Sequence, residues 1–136
     1  MSSESRADRI VFVDASAMVA LADRADASHE AAVAAYEEFL AGGYLLFTTD
    51  LAFTAAHQLL LAALGPAVAR RWLAQCAIHV EPVTRADLEE GRSKVENGAV
   101  PATAPLGDAI HLAVMDRLGV NEAYAVDQQF LDTLAF

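Results

Sequence analysis

Three aspartates, Asp14, Asp108 and Asp127, occupy positions from which their carboxylates can converge on one point. Asp14 follows the apolar run 10–13 and Asp127 follows the run 123–126, and both runs are typical of buried strands. Asp108 falls in the first turn of a predicted helix. Carboxylates held close together repel one another unless a cation neutralises them, and Mg²⁺ prefers oxygen ligands. The pattern predicts a divalent-cation site; the alternative is that Asp14 and Asp108 only cap helices.

Strands and helices alternate along the whole sequence, which places the acids in an α/β fold. The predicted strands are residues 10–13, 44–48, 78–83 and 123–126. Helical patterns between them indicate a mostly parallel sheet with helices on both faces. Ligands bind beyond the carboxyl ends of the strands in such a sheet. The strands that end at Val13 and Val126 must therefore be neighbours, and residues 130–136 form either a last short helix or the start of a strand.

The length and composition of the chain predict a single domain in the cytoplasm. The 136 residues suit one domain, 1–136, with a flexible polar N-terminus at residues 1–9. No apolar run approaches the roughly 20 residues that a membrane span needs, and no apolar signal core is present. The single cysteine excludes an internal disulfide, and no Cys/His spacing suits zinc.

The net charge of −10 opposes the binding of nucleic acid. Proteins bind phosphate mainly through Lys and Arg, and this chain has only nine of them against 19 acidic residues. If the substrate is a nucleic acid, metal ions or a basic partner must offset part of the repulsion.

Three short motifs in order resemble the signatures of the PIN-domain family. They are residues 11–17 (VFVDASA), 107–113 (GDAIHLA) and 125–130 (AVDQQF), and the resemblance extends over residues 10–130. Within that family the chain is most similar to the VapC toxins of bacterial toxin–antitoxin pairs. The resemblance implies a small three-layer α/β/α sandwich that cleaves RNA with Mg²⁺ or Mn²⁺. It also implies a homodimer and a cognate VapB-like antitoxin, whose tail occupies the active-site groove.

The same resemblance assigns roles to individual residues. Asp14, Asp108 and Asp127 match the acidic metal ligands and are the expected catalytic residues. Ser16 resembles the small hydroxyl residue that often supports the first ligand. Its hydroxyl can equally serve backbone donors at a helix N-terminus.

The sequence departs from the family pattern at residue 55. The family usually has a further acid, a glutamate, in the helix after the second strand, and Ala55 occupies that position here. The site is either naturally weakened or carries a Glu-to-Ala change that disarms a toxic protein. Asp50 is better explained as a helix cap, and His57 faces about 200° around the helix from Ala55. Neither residue is expected to replace the missing acid.

One function and two rivals follow from these features. The expected function is a metal-dependent endoribonuclease toxin of reduced activity. The main rival is a degenerate, non-catalytic PIN domain that only binds an antitoxin or RNA. A metal-dependent phosphatase is more distant, because such enzymes usually have a second aspartate at the position of Ser16. His111, one turn after Asp108, is either a satisfied histidine of the core or groove wall, or a residue that contacts a substrate phosphate or orients a water.

Overall fold

The computed structural model describes residues 9–136 and contains four strands and seven helices in that range. The strands are β1 (Ile10–Val13), β2 (Leu45–Thr49), β3 (His79–Glu81) and β4 (Glu122–Tyr124). The helices are α1 (Ala15–Ala22), α2 (His29–Ala41), α3 (Asp50–Leu64), α4 (Pro66–Gln75), α5 (Arg85–Glu96), α6 (Leu106–Leu118) and α7 (Gln128–Ala135). Of the predicted flexible segment 1–9, all but Arg9 lies outside the described residues. No helix in residues 9–136 is both long enough and apolar enough to span a membrane.

The sheet is parallel throughout, with the strand order β3-β2-β1-β4. The central strand β1 pairs with β2 from Ile10 opposite Leu45, and with β4 up to Val13 opposite Tyr124. The two strands that lead to Asp14 and Asp127 are therefore neighbours, as predicted. The predicted α/β/α architecture is confirmed.

The boundaries of three strands differ from the prediction. β4 ends at Tyr124, not at Val126, because the backbone N–H groups of Val126 and Asp127 donate to the Ser16 hydroxyl instead of to a strand. β3 ends at Glu81, directly before a proline that has no N–H to donate to a ladder. β2 begins at Leu45, one residue later than predicted. Of the two structures predicted for residues 130–136, a short helix or the start of a strand, the helix is the one observed.

The core is built around Phe12 on the central strand, whose side chain is completely buried. Its ring centroid lies 5.7 Å from that of Phe47 on β2 and 6.0 Å from that of Phe130 on α7. On the neighbouring strand the Tyr124 hydroxyl donates to the Ala32 carbonyl of α2. These contacts fix the end of β1 from both sides, so the residues that follow it have a rigid support.

The helix that carries Asp108, α6, packs closely against α5. At Gly91 an added Cβ would lie 2.7 Å from Ile110 Cγ1 and 2.9 Å from the Ile110 backbone, so only glycine allows this approach. Arg117 near the end of α6 also forms two 2.9 Å hydrogen bonds with the buried Asp87 carboxylate of α5. The position of Asp108 is thereby set by a rigid helix pair.

Candidate functional site

The three predicted aspartates line one cavity of about 590 Å³ beside the ends of β1 and β4. Each comes from a different place in the chain: Asp14 precedes α1, Asp108 lies in the first turn of α6, and Asp127 precedes α7. No Lys or Arg of the described residues lines this cavity. The fold therefore brings three carboxylates together without a basic side chain to balance them.

Asp14 is the most constrained of the three acids. Asp14 is the N-cap of α1 and is only 8% exposed. Its Oδ2 accepts hydrogen bonds from the Ser16 N–H at 3.2 Å and from the Ser16 hydroxyl at 2.7 Å. Capping is thus a real role of Asp14, but the cap also orients the carboxylate at the cavity wall.

Ser16 connects two of the acids. Its hydroxyl donates to Asp14 and accepts from the backbone N–H groups of Val126, at 3.1 Å, and Asp127, at 3.2 Å. The hydroxyl contacts Asp14, as expected of a supporting residue, but the backbone donors that it serves belong to the β4–α7 connection and not to the N-terminus of its own helix. Its role in supporting a metal ligand remains a prediction. Asp127 itself caps α7 by accepting from the Gln129 N–H at 3.3 Å.

Asp108 has no such support. It does not cap α6, because Pro105 occupies the N-cap position, and the capping interpretation is therefore wrong for this residue. Its Oδ2 is buried and has no hydrogen-bond partner within residues 9–136. Burial, followed by the charges of Asp14 and Asp127, raises the pKa of Asp108 to about 6.

The carboxylate oxygens at this cavity are the type of donor atom that a hard divalent cation binds. An unpaired buried carboxylate oxygen and three mutually repelling acids are what a cation would stabilise. However, no group of three or more His, Cys, Asp or Glu side chains in residues 9–136 is already arranged to hold an ion. Binding therefore requires side-chain rotation or bridging water, which Mg²⁺ commonly retains in proteins. The metal-ligand role of the trio remains a prediction.

Ala55 of α3 lines the same cavity, at the place where the missing acid is expected. Its methyl group has no oxygen to contribute. Asp50 does not line the cavity: its Oδ1 accepts from the N–H groups of Leu51, at 2.9 Å, and Val83, at 3.0 Å. The cap of α3 is Thr49, whose hydroxyl accepts from the Ala52 N–H. His57 also lies outside the cavity lining.

His111 forms part of the cavity wall and is only 5% exposed. A 2.8 Å hydrogen bond joins its Nε2 to Thr49 Oγ1, and its ring centroid lies 4.7 Å from that of Phe12. Burial lowers its pKa to about 4, so the ring is neutral at pH 7. Its Nδ1 has no hydrogen-bond partner among residues 9–136. The groove-wall interpretation therefore describes its position, although one nitrogen is unsatisfied.

Two polar residues of the cavity lining had no functional role assigned from the sequence. Asp26 and Ser28, in the loop between α1 and α2, line the cavity with the three predicted acids. In the sequence this segment has only the composition of a polar turn. No local pattern marks Asp26, because its position at the cavity depends on how α1 and α2 pack.

Comparisons with known proteins agree with the fold. A family model described as PIN domain matches residues 11–134. The crystal structure of VapC20 from Mycobacterium tuberculosis, described as a sarcin–ricin loop cleaving toxin, is similar with a TM-score of 0.74 and 25% sequence identity. The match covers 89% of this chain and 92% of that chain. None of the curated proteins compared by sequence matches this chain.

Proposed function

The chain belongs to the PIN-domain family, and we propose on this basis that it is a VapC-type endoribonuclease toxin that hydrolyses RNA phosphodiester bonds in the cytoplasm. The proposed cofactor is Mg²⁺ or Mn²⁺, and the proposed ligands are Asp14, Asp108 and Asp127. The fold similarity to VapC20, a toxin described as cleaving the sarcin–ricin loop, supports RNA as the substrate class.

One observation carries the proposal: Asp108 has a buried, unpaired carboxylate oxygen in a cavity that it shares with Asp14, Asp127 and Asp26, and no described Lys or Arg lines that cavity. A buried charge without a partner is costly, and proteins keep such groups mainly where function requires them. A divalent ion bound there lowers the pKa of water and stabilises the charge that develops on a phosphodiester under attack. The chain's own contribution is to hold the acids in place through Ser16 and the rigid helix pair.

Ala55 is expected to reduce activity. The missing glutamate would add a carboxylate to the cavity wall, as a ligand or a group that orients water. Loss of a group that supports a metal site typically costs about 10–100-fold in affinity or activity. We therefore propose that the chain has the fold of an active ribonuclease with a weakened site.

The proposed partners are RNA, a cognate VapB-like antitoxin and a second copy of the chain. Leu51 and Leu59 form an exposed apolar part of the cavity wall, which supports binding of an antitoxin tail that combines apolar and basic residues. Tyr36 and Leu40 on α2 are 37% and 51% exposed and supply apolar surface for dimer formation. The charge of −10 favours a basic antitoxin, and it makes RNA binding dependent on the cation.

The test is Mn²⁺-dependent cleavage of a sarcin–ricin loop oligonucleotide and of total RNA. The chain is compared with its Ala55→Glu variant, and Asp14→Asn in the Ala55→Glu background serves as the blank. Ala63→Glu is the matched control, because it adds the same charge at an exposed position of α3 outside the cavity. Ala55→Glu should raise the rate about 10–100-fold, whereas Ala63→Glu should not.

The same experiment distinguishes the proposed ribonuclease from the rival function. The missing acid favours a non-catalytic PIN domain that binds an antitoxin or RNA without cutting it. If Mn²⁺ binds but Ala55→Glu cleaves no RNA, that binding function replaces the ribonuclease. If Mn²⁺ binds to none of the proteins, the assignment of the aspartates is wrong.

A further inference from the structure

The loop between α1 and α2 places a fourth carboxylate, that of Asp26, at the same cavity. Its Oδ1 accepts from the Ser28 N–H at 2.8 Å, its backbone N–H donates to the Asp23 carbonyl, and its carbonyl accepts from the His29 N–H. Its Oδ2 has no hydrogen-bond partner within residues 9–136. One oxygen of Asp26 is therefore fixed by the loop, and the other remains available to a ligand.

The loop that carries Asp26 is tied to its neighbouring helices. His29 Nδ1 donates to the Ala20 carbonyl of α1 at 2.7 Å, so the start of α2 is held against α1. Val19 of α1 and Ser28 line the cavity on either side of Asp26 in the chain. This anchoring gives Asp26 a defined position at the cavity wall.

The loss of an acid at residue 55 changes the number of carboxylates at the site. The family pattern has three aspartates and a glutamate, whereas Ala55 leaves only the three aspartates. With Asp26 the cavity again has four carboxylates, and no described Lys or Arg lines it. We propose that Asp26 supplies the fourth carboxylate of the divalent-cation site in place of an acid at residue 55; this inference rests on the proposed function.

A second observation indicates that this cavity holds a polar ligand. His111 lines it, is 5% exposed, and has no hydrogen-bond partner at Nδ1 among the described residues. A buried polar atom left without a partner costs about 1–3 kcal/mol, so such atoms usually have water or a ligand beside them. His111 is not one of the acids, and it belongs to the lining of the same cavity.

Asp26 would act on a bound cation through water. Asp26 belongs to no group of three or more His, Cys, Asp or Glu side chains in residues 9–136 that is already arranged to hold an ion. Because Mg²⁺ and its analogues keep several waters in proteins, a carboxylate can act on the ion through its hydration shell.

The experiment measures Mn²⁺ binding directly, by calorimetry on the full chain, without relying on cleavage. Asp26→Asn removes the charge but keeps an oxygen for the turn to Ser28. Asp23→Asn is the matched control, because Asp23 makes the same type of turn, accepting from the Ala25 N–H at 3.0 Å, yet does not line the cavity. Asp26→Asn should weaken Mn²⁺ affinity about 10-fold, and Asp23→Asn should leave it unchanged.

A rescue variant distinguishes loss of a ligand group from loss of structure. In the Asp26→Asn background, Ala55→Glu should restore affinity to at least the starting level, because either position supplies the fourth carboxylate. Asp26→Ser provides a second variant that keeps a turn acceptor. In the presence of a chelator, Asp26→Asn and Asp26→Ser should unfold at no lower denaturant concentration than the unchanged chain, which shows that both variants keep the fold.

Two outcomes overturn different claims. If Asp14→Asn abolishes Mn²⁺ binding while Asp26→Asn and Asp26→Ser bind as tightly as the unchanged chain, the inference about Asp26 is wrong and the proposed function stands. If Asp14→Asn and Asp108→Asn also bind Mn²⁺ normally, the proposed cation site itself is wrong.

Discussion

The Ser16 hydroxyl and the Asp14 carboxylate form a 2.7 Å hydrogen bond, and the same hydroxyl accepts from two backbone N–H groups of the β4–α7 connection. Replacing Ser16 with alanine leaves these N–H groups and the carboxylate without that partner. We expect Ser16→Ala to lower the free energy of unfolding by about 1–3 kcal/mol. Denaturant unfolding measures this loss, and Ser16→Thr, which keeps the hydroxyl, should recover most of it. Equal stability of Ser16→Ala and the unchanged chain would show that water replaces the hydroxyl.

Asp108 is expected to destabilise the metal-free protein. Because the pKa of Asp108 is raised from 3.8 to about 6, its ionised form is less favourable in the folded chain than in the unfolded chain. This loss of folding stability appears as the pH rises above 3.8 and is complete above about 6. With allowance for partial solvation, Asp108→Asn should therefore add about 1–2 kcal/mol to the free energy of unfolding at pH 7 in chelator.

Denaturant unfolding of both proteins at pH 4 and pH 8 checks this prediction. The increase in the free energy of unfolding that Asp108→Asn causes should be present at pH 8 and nearly absent at pH 4. Mn²⁺ should stabilise the unchanged chain more than the variant, because a ligand that binds only the folded state shifts the unfolding equilibrium. A variant less stable than the unchanged chain at pH 8 in chelator would contradict the prediction.

The Asp87–Arg117 pair should make stability fall in acid. The hydrogen bond from Arg117 holds the pKa of Asp87 below its ordinary value of 3.8, and Asp87 is 3% exposed. The pair therefore contributes its full stability above pH 3.8 and loses it as the pH falls through the lowered pKa. Asp87→Asn should cost about 3 kcal/mol at pH 7, and this difference should shrink below pH 4. If the difference in the free energy of unfolding stays constant from pH 7 to pH 3, the charge of Asp87 is not the source of the stabilisation.

Gly91 should tolerate no side chain. In Gly91→Ala the new Cβ would meet the Ile110 backbone at 2.9 Å, which forces α5 away from α6. The overpacking should cost about 1–3 kcal/mol, more than the gain of up to about 1 kcal/mol from better helix propensity. Ser93→Ala, at an exposed position of α5, is the control and should be nearly neutral. Thermal unfolding compares the two, and a Gly91→Ala protein as stable as the control would mean that the helices separate without cost.

The sequence was sufficient to predict the parallel sheet and the meeting of three acids. Both follow from local features: apolar runs 10–13 and 123–126 predict strands, and parallel strands have their carboxyl ends at one edge. The end of β4 was predicted two residues too late because a hydroxyl from α1 takes the backbone donors. The family pattern put the missing acid at residue 55, and Ala55 does line the cavity, but its part in the site remains a prediction.

The position of the Asp26 loop at the cavity could not be predicted from the sequence, for a physical reason. Its approach to the cavity depends on the packing of α1 against α2 and on the His29–Ala20 hydrogen bond, which joins residues nine apart. A polar turn has the same composition whether it lies at a cavity or in open solvent. The unpaired nitrogen of His111 is likewise visible only once the fold has brought Thr49 to the other side of the ring.

The position of β4 beside β1 has a consequence for how the chain is made. Val11 pairs with Glu122, so β1 has no partner on this side until a segment far later in the sequence has been synthesised. Asp127 and the backbone groups that hold Ser16 arrive with that same late segment. A nascent chain therefore lacks the complete cavity until β4 and Asp127 have been synthesised, and a product that ends before β4 lacks both.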